Sequence, residues 1–186
     1  MLTPPMVGDR LHNIMPLKKP PVKLSHFDQK NRATMVDISK KASTKRIATA
    51  VGTVFMNLST LRLIEESQLK KGNLWEVARL AGIMAAKKTP ELIPMCHPIL
   101  LGNIEVDFTV NTPENSYMAE VQIKASVTAA GQTGVEMEAM TAVCVAALTL
   151  YDMCKAADKG ISFGEIGLTF KSGGKSGTYQ RSKKEI

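Results

Sequence analysis

The chain has 186 residues, 44% hydrophobic and 22% charged, a globular balance with length enough for one sizeable core rather than a disordered or fibrous chain. Its net charge of +7 suits an anionic ligand. Aromatics make up only 5% and do not interleave with the basic residues, so stacking platforms for nucleic acid are poorly supplied and a small polyanion is favoured over RNA or DNA.

Residues 1–33 hold five of the nine prolines and several lysines with little periodicity, and read as a flexible N-terminal arm. No apolar run lies near the N-terminus, which argues against a signal peptide. Met35 to Ile38 is a short apolar contact. Residues 45–56 alternate and are rich in small and β-branched side chains, as in a strand. Ser59 is placed to cap a helix over Leu61–Glu66. Lys70 to Asn73 breaks it, and Asn73 caps a second helix over about 74–86, with Leu74, Val77, Leu80, Ala81 and Met84 at core spacing. Three prolines make 87–103 a loop with at most one helical turn. Residues 104–110 and 117–127 alternate around Pro113–Ser116, a hairpin pattern. The run 135–155 is apolar on nearly every side and predicts a buried helix. It has the length of a membrane span, but polar elements surround it, so no membrane partner is expected. Residues 165–171 form a last strand, followed by a glycine-rich segment. Short strands in hairpins with helices on one face give an α+β fold, an antiparallel sheet covered by helices. The expected organisation is the arm, one catalytic domain over 34–178, and a tail over 179–186.

Three cysteines, Cys96, Cys144 and Cys154, give no disulfide framework, which favours reduced thiols and a cytoplasmic setting. Charges on the long helix are few: Glu136, Glu138, Asp152 and Lys155. Glutamates in a first turn suit the helix dipole, and Asp152 with Lys155 is an ordinary i,i+3 pair. The same residues can equally serve a site. Glu138 and Asp152 are fourteen residues apart, roughly 21 Å along a continuous helix, so one copy cannot bring both to one small ligand. Two antiparallel copies can, which predicts an oligomer with shared sites.

Other candidates are fewer. His97 follows Met95 and Cys96 in the proline-framed loop; alone it reads as an ordinary loop histidine. Cys96 and His97 do not make a metal pair, because neighbours on an extended segment point apart and no further ligand motif accompanies them. Lys171–Gly177 can be a phosphate loop or a solvated basic tail; it lacks the Walker A spacing. Lys71 reads either as a phosphate contact or as a surface lysine. Lysines, one histidine and a few carboxylates suit proton transfers on a phosphorylated substrate, with no metal and no organic cofactor.

The strings LIPMCHP (Leu92–Pro98), TGVEMEA (Thr133–Ala139), LYDMCKA (Leu150–Ala156) and KSGGKSG (Lys171–Gly177) together resemble the cyclic pyranopterin monophosphate synthases, the MoaC family of molybdenum cofactor biosynthesis. The likeness runs from about Met35 to Gly177. It implies a ferredoxin-like fold and a homohexamer, a trimer of dimers with sites at the dimer interface. It also implies a lyase reaction. A cyclised dihydro-GTP opens its imidazole ring, a pyranopterin forms, and a cyclic phosphate closes as pyrophosphate leaves. On this resemblance Asp152 and Lys155 are the catalytic acid/base pair, with Lys155 keeping Asp152 ionised. Met95, Cys96, His97, Glu136, Met137 and Glu138 line the substrate pocket. Lys71, Lys171 and Lys175 hold the triphosphate and ring. Two positions depart from the common pattern: Gln132 stands where many relatives have Lys, and Thr178 where an acidic residue is common.

Overall fold

The computed structural model describes residues 26–28, 30–66 and 73–182. Contacts divide the chain after Val36 into two units, each described by itself. In the first, Phe27 and Ala33 form an antiparallel bridge around a tight turn. Asp28 organises that turn, accepting from the Lys30 and Arg32 N–H groups at 2.8 and 2.9 Å and from Arg32 Nε at 2.9 Å. These donors, led by the Arg32 N–H, hold its carboxyl below the usual range.

The second unit carries nine elements among the described residues: β1 (Thr44–Asn57), α1 (Leu58–Glu65), α2 (Leu74–Lys87), α3 (Thr89–Leu92), β2 (Leu101–Asn111), β3 (Met118–Gly131), α4 (Glu136–Cys154), β4 (Ser162–Ser172) and β5 (Tyr179–Gln180). The strands form one sheet in the order β2-β3-β1-β4-β5, antiparallel at every pairing. The first four strands with their two crossings are the βαββαβ ferredoxin-like topology, and β5 extends its edge.

Period-two alternation sends one set of side chains toward the helices. From β1 these are Ala48, Ala50, Val54 and Met56; from β3, Ala119, Val121, Ile123, Ala125 and Val127, all with no exposed surface. Most are small, so α4 lies close to the two central strands and buries Ala139, Ala142, Val143, Ala146 and Leu150 on them. By length and composition alone α4 could cross a membrane, yet half of its most apolar stretch is buried inside the protein.

α2 lies beside α4 over β2. Its Asn73 cap is as expected, the side chain accepting from the Glu76 N–H at 3.3 Å. Its core face is not. Leu74 is buried, but Val77, Leu80 and Met84 are 42, 58 and 51% exposed. The buried face is Leu74, Ala78, Gly82, Ala85 and Ala86. Small residues win because the backbones approach closely: a Cβ on Gly82 would sit 3.0 Å from the Ala142 carbonyl oxygen and 3.4 Å from Ala146. Hydrophobicity counted by size therefore misassigned the face.

The start of α1 also differs from expectation. It begins at Leu58, ahead of Ser59, and the N-cap residue Asn57 makes no side-chain cap bond. A carboxylate from far along the chain reaches this start instead: Asp158 takes the Asn57 N–H at 2.8 Å and the Thr60 hydroxyl at 3.4 Å. Further on, the last predicted strand is longer than 165–171 and bulged: register shifts by a residue between Val51 and Thr53, opposite Gly164–Gly167, and Glu165 takes a left-handed φ of 45°.

Candidate active site

α4 carries charged groups at both ends. At its N-terminal end Glu136 and Glu138 occupy the first turn, where the helix dipole favours anions. Glu136 is about three-quarters buried and accepts from Lys171 Nζ at 2.8 Å. Lys171 reaches it from the end of β4 and also contacts Ser176 Oγ at 3.3 Å. Glu138 is 2% exposed. Burial pushes its carboxyl up to about 7, the neighbouring Glu136 charge adds to the rise, and its own backbone N–H opposes it.

The proline-framed loop comes to the same end. Cys96 is half-buried, and burial together with the Glu138 charge raises its thiol above the ordinary value. Met95 and His97 are half-buried beside it. His97 is near Asp37, whose carboxyl lies below its usual range chiefly because it accepts the Ser39 N–H at 2.9 Å, with the histidine contributing further. Met137 is half-buried one residue from Glu138. Gln132, the first departure from the common pattern, donates to the Lys41 carbonyl at 2.9 Å and so fastens the approach to α4 onto the segment before β1.

The glycine-rich segment is an ordered turn joining β4 to β5. Gly173, Gly174 and Gly177 have φ of 98°, 76° and 66°, left-handed values that other residues adopt only with strain. Lys175 is exposed at its tip. Beneath it lies Arg46, 8% exposed, with Nε donating to the Gly131 carbonyl at 3.1 Å. The Arg46 guanidinium occupies the space a side chain at Gly174 would need. Sequence reasoning missed Arg46: nothing in Thr-Lys-Arg-Ile at the start of a strand marks a buried cation, and only the pairing of β1 with β3 and β4 puts it under the loop.

At the far end of α4, Lys155 Nζ contacts Asp152 Oδ1 at 2.7 Å, with side chains 53 and 62% exposed. The hydrogen bond from Lys155 to Asp152 raises the ammonium above its ordinary value, and the charge of Asp152 adds to it. The helix is unbroken from Glu136 to Cys154, so the fourteen residues between Glu138 and Asp152 correspond to roughly 21 Å. One chain thus brings Cys96, Glu136, Glu138 and Lys171 together at one end of α4, with Met95, His97 and Met137 adjoining them in sequence and Lys175 exposed on the turn after Lys171, and leaves Asp152 and Lys155 at the other. Lys71 lies outside the described residues. Among the described residues no group of three or more His, Cys, Asp and Glu side chains is placed to hold a metal ion.

The sequence matches the model of the MoaC family over residues 35–174. A cyclic pyranopterin monophosphate synthase of Parvibaculum lavamentivorans is 56% identical over 158 residues, covering 85% of this chain and 96% of the relative. Proteins of the same name from Thermoanaerobacter pseudethanolicus and Geobacter metallireducens are 54 and 55% identical, covering 85 and 86% of this chain and 98 and 97% of theirs. With a family match over three-quarters of its length and full-length relatives above half identity, the chain belongs to the MoaC family.

Proposed function

We infer that this chain is a cyclic pyranopterin monophosphate synthase, a phosphorus–oxygen lyase of molybdenum cofactor biosynthesis. It converts a cyclised dihydroguanosine triphosphate to the cyclic pyranopterin monophosphate and pyrophosphate. The observation that carries this reading is the near-full-length identity to relatives bearing that name. Purified chain incubated with the cyclised substrate yields the pterin and pyrophosphate, followed by chromatography; binding without turnover would contradict it.

Asp152 and Lys155 are assigned the acid/base steps. Their 2.7 Å contact and exposure support this, since Lys155 can hold Asp152 ionised while both groups still reach a ligand. Glu138 is a second proton carrier, its value of about 7 matching a group that both gives and takes a proton near neutral pH. Lys171, Lys175 and Lys71 hold the triphosphate and offset the charge that builds on departing pyrophosphate. Met95, Cys96, His97 and Met137 frame the ring, and Glu136 keeps Lys171 aligned. The proposed assembly is a homohexamer, a trimer of dimers working in the cytoplasm, in which Glu138 of one chain meets Asp152 and Lys155 of another. Two features support it: the separation of charges along α4, and the exposed apolar side chains of Val77, Leu80, Met84 and Leu148 on the helical layer, which a second copy would cover.

A further inference from the structure

We propose that Asp158 is a positioning residue for the Asp152–Lys155 pair, holding the turn that carries Lys155 against the junction of β1 and α1; the proposal rests on the catalytic role given to that pair above. Asp158 is 5% exposed, and the reaction as read makes no use of its carboxylate. A buried carboxylate is costly unless its lone pairs are filled. Oδ2 accepts from the Asn57 N–H at 2.8 Å and from the Thr60 hydroxyl at 3.4 Å, and Oδ1 accepts from the Gly160 N–H at 2.8 Å.

The backbone on the other side of Asp158 is fixed as well. Its N–H and that of Ala157 donate to the Cys154 carbonyl at 3.0 and 2.8 Å, and the Lys155 N–H donates to the Tyr151 carbonyl at 2.8 Å. Cys154 before the turn and Ile161 after it are buried in the core. The residues from Cys154 to Gly160 are thus laced to the end of α4 by main chain and to the end of β1 by one carboxylate. The Asp152–Lys155 contact itself is solvent-exposed, and exposed ion pairs contribute too little to hold their own geometry. The turn beneath it is therefore a source of precision at Lys155 within the chain, and Asp158 ties that turn to the sheet.

The test compares Asp158→Asn, Lys155→Ala and the double variant of the full chain, with kcat and KM for the cyclised triphosphate measured per folded subunit and single turnover used for the slow variants. Asp158→Asn keeps one acceptor oxygen and sets its NH2 against a donor, the Gly160 N–H on one side or the Asn57 N–H and Thr60 hydroxyl on the other. The expected result is a kcat lowered by about tenfold or more with KM within about twofold, because misplacement of a reacting group falls on the rate. The double variant falls no further than Lys155→Ala alone, since residues acting through one another are not additive. Thr60→Val, which removes one donor and leaves the carboxylate, gives a smaller loss in the same direction and stands in should Asp158→Asn fail to fold. Unchanged kcat per folded subunit, or a double variant whose losses multiply, would mean that Asp158 only caps α1 and would overturn the proposal. If Lys155→Ala itself turns over at the wild-type rate, the role of the pair fails, and that of Asp158 with it.

Discussion

Burial moves the Glu138 carboxyl from an ordinary 4.5 to about 7, which puts a measurable term into the stability of the chain. A folded value above the unfolded one means the native state holds this proton more tightly. Stability through this group is therefore full below about pH 4.5, declines as pH rises through about 7, and changes no further above that. Glu138→Gln, isosteric and unable to ionise, removes the decline. Thermal melts between pH 5 and pH 8 are expected to show a flatter dependence for this variant than for the wild type, and parallel curves would contradict the assignment. At the other end of α4, Asp152→Asn and Lys155→Ala are expected to stay folded by circular dichroism and to lose at least ~100-fold in product formation, the scale of a lost acid/base group. A rate near wild type in either variant would remove that residue from the chemistry.

The elements divide by how local their causes are. α4 was legible because a long Ala-, Met- and Leu-rich run among polar elements reads as a buried helix, and β1, β2 and β3 because their alternation survives burial on one face. The faces of α2 were not legible: its larger apolar side chains point outward, and Ala78, Gly82 and Ala85 point in, because α4 lies too close for anything bigger. Gly82→Val is accordingly expected to cost about 2 kcal/mol through overpacking, despite the better helix propensity of valine. A denaturation midpoint at or above wild type would show that the two helices can move apart. Asn73→Ala tests the start of the same helix and is expected to lower stability by about 1 kcal/mol. The site divides in the same way. Its four motifs could be read as strings, whereas the Lys171–Glu136 contact, the Arg46 position and the cap that Asp158 supplies to α1 join residues far apart in sequence and exist only once the sheet has formed.

At the scale of the whole molecule, the ferredoxin-like order makes α4 a straight rod across the central strands, with carboxylates and a lysine at one end and an Asp–Lys pair at the other. The proposed chemistry needs both sets within reach of one triphosphate, and a single chain holds them roughly 21 Å apart. The proposed second copy across a two-fold axis would resolve this by giving each dimer two equivalent sites, each drawing one end of α4 from either chain. Mixing separately inactive Glu138→Gln and Asp152→Asn chains, under conditions that let subunits exchange, tests this directly. In a mixed dimer one site carries both substitutions and the other carries neither. Random pairing of equal amounts then restores about a quarter of wild-type product formation. A mixture that stays as inactive as its two components would mean that each site is built within one chain.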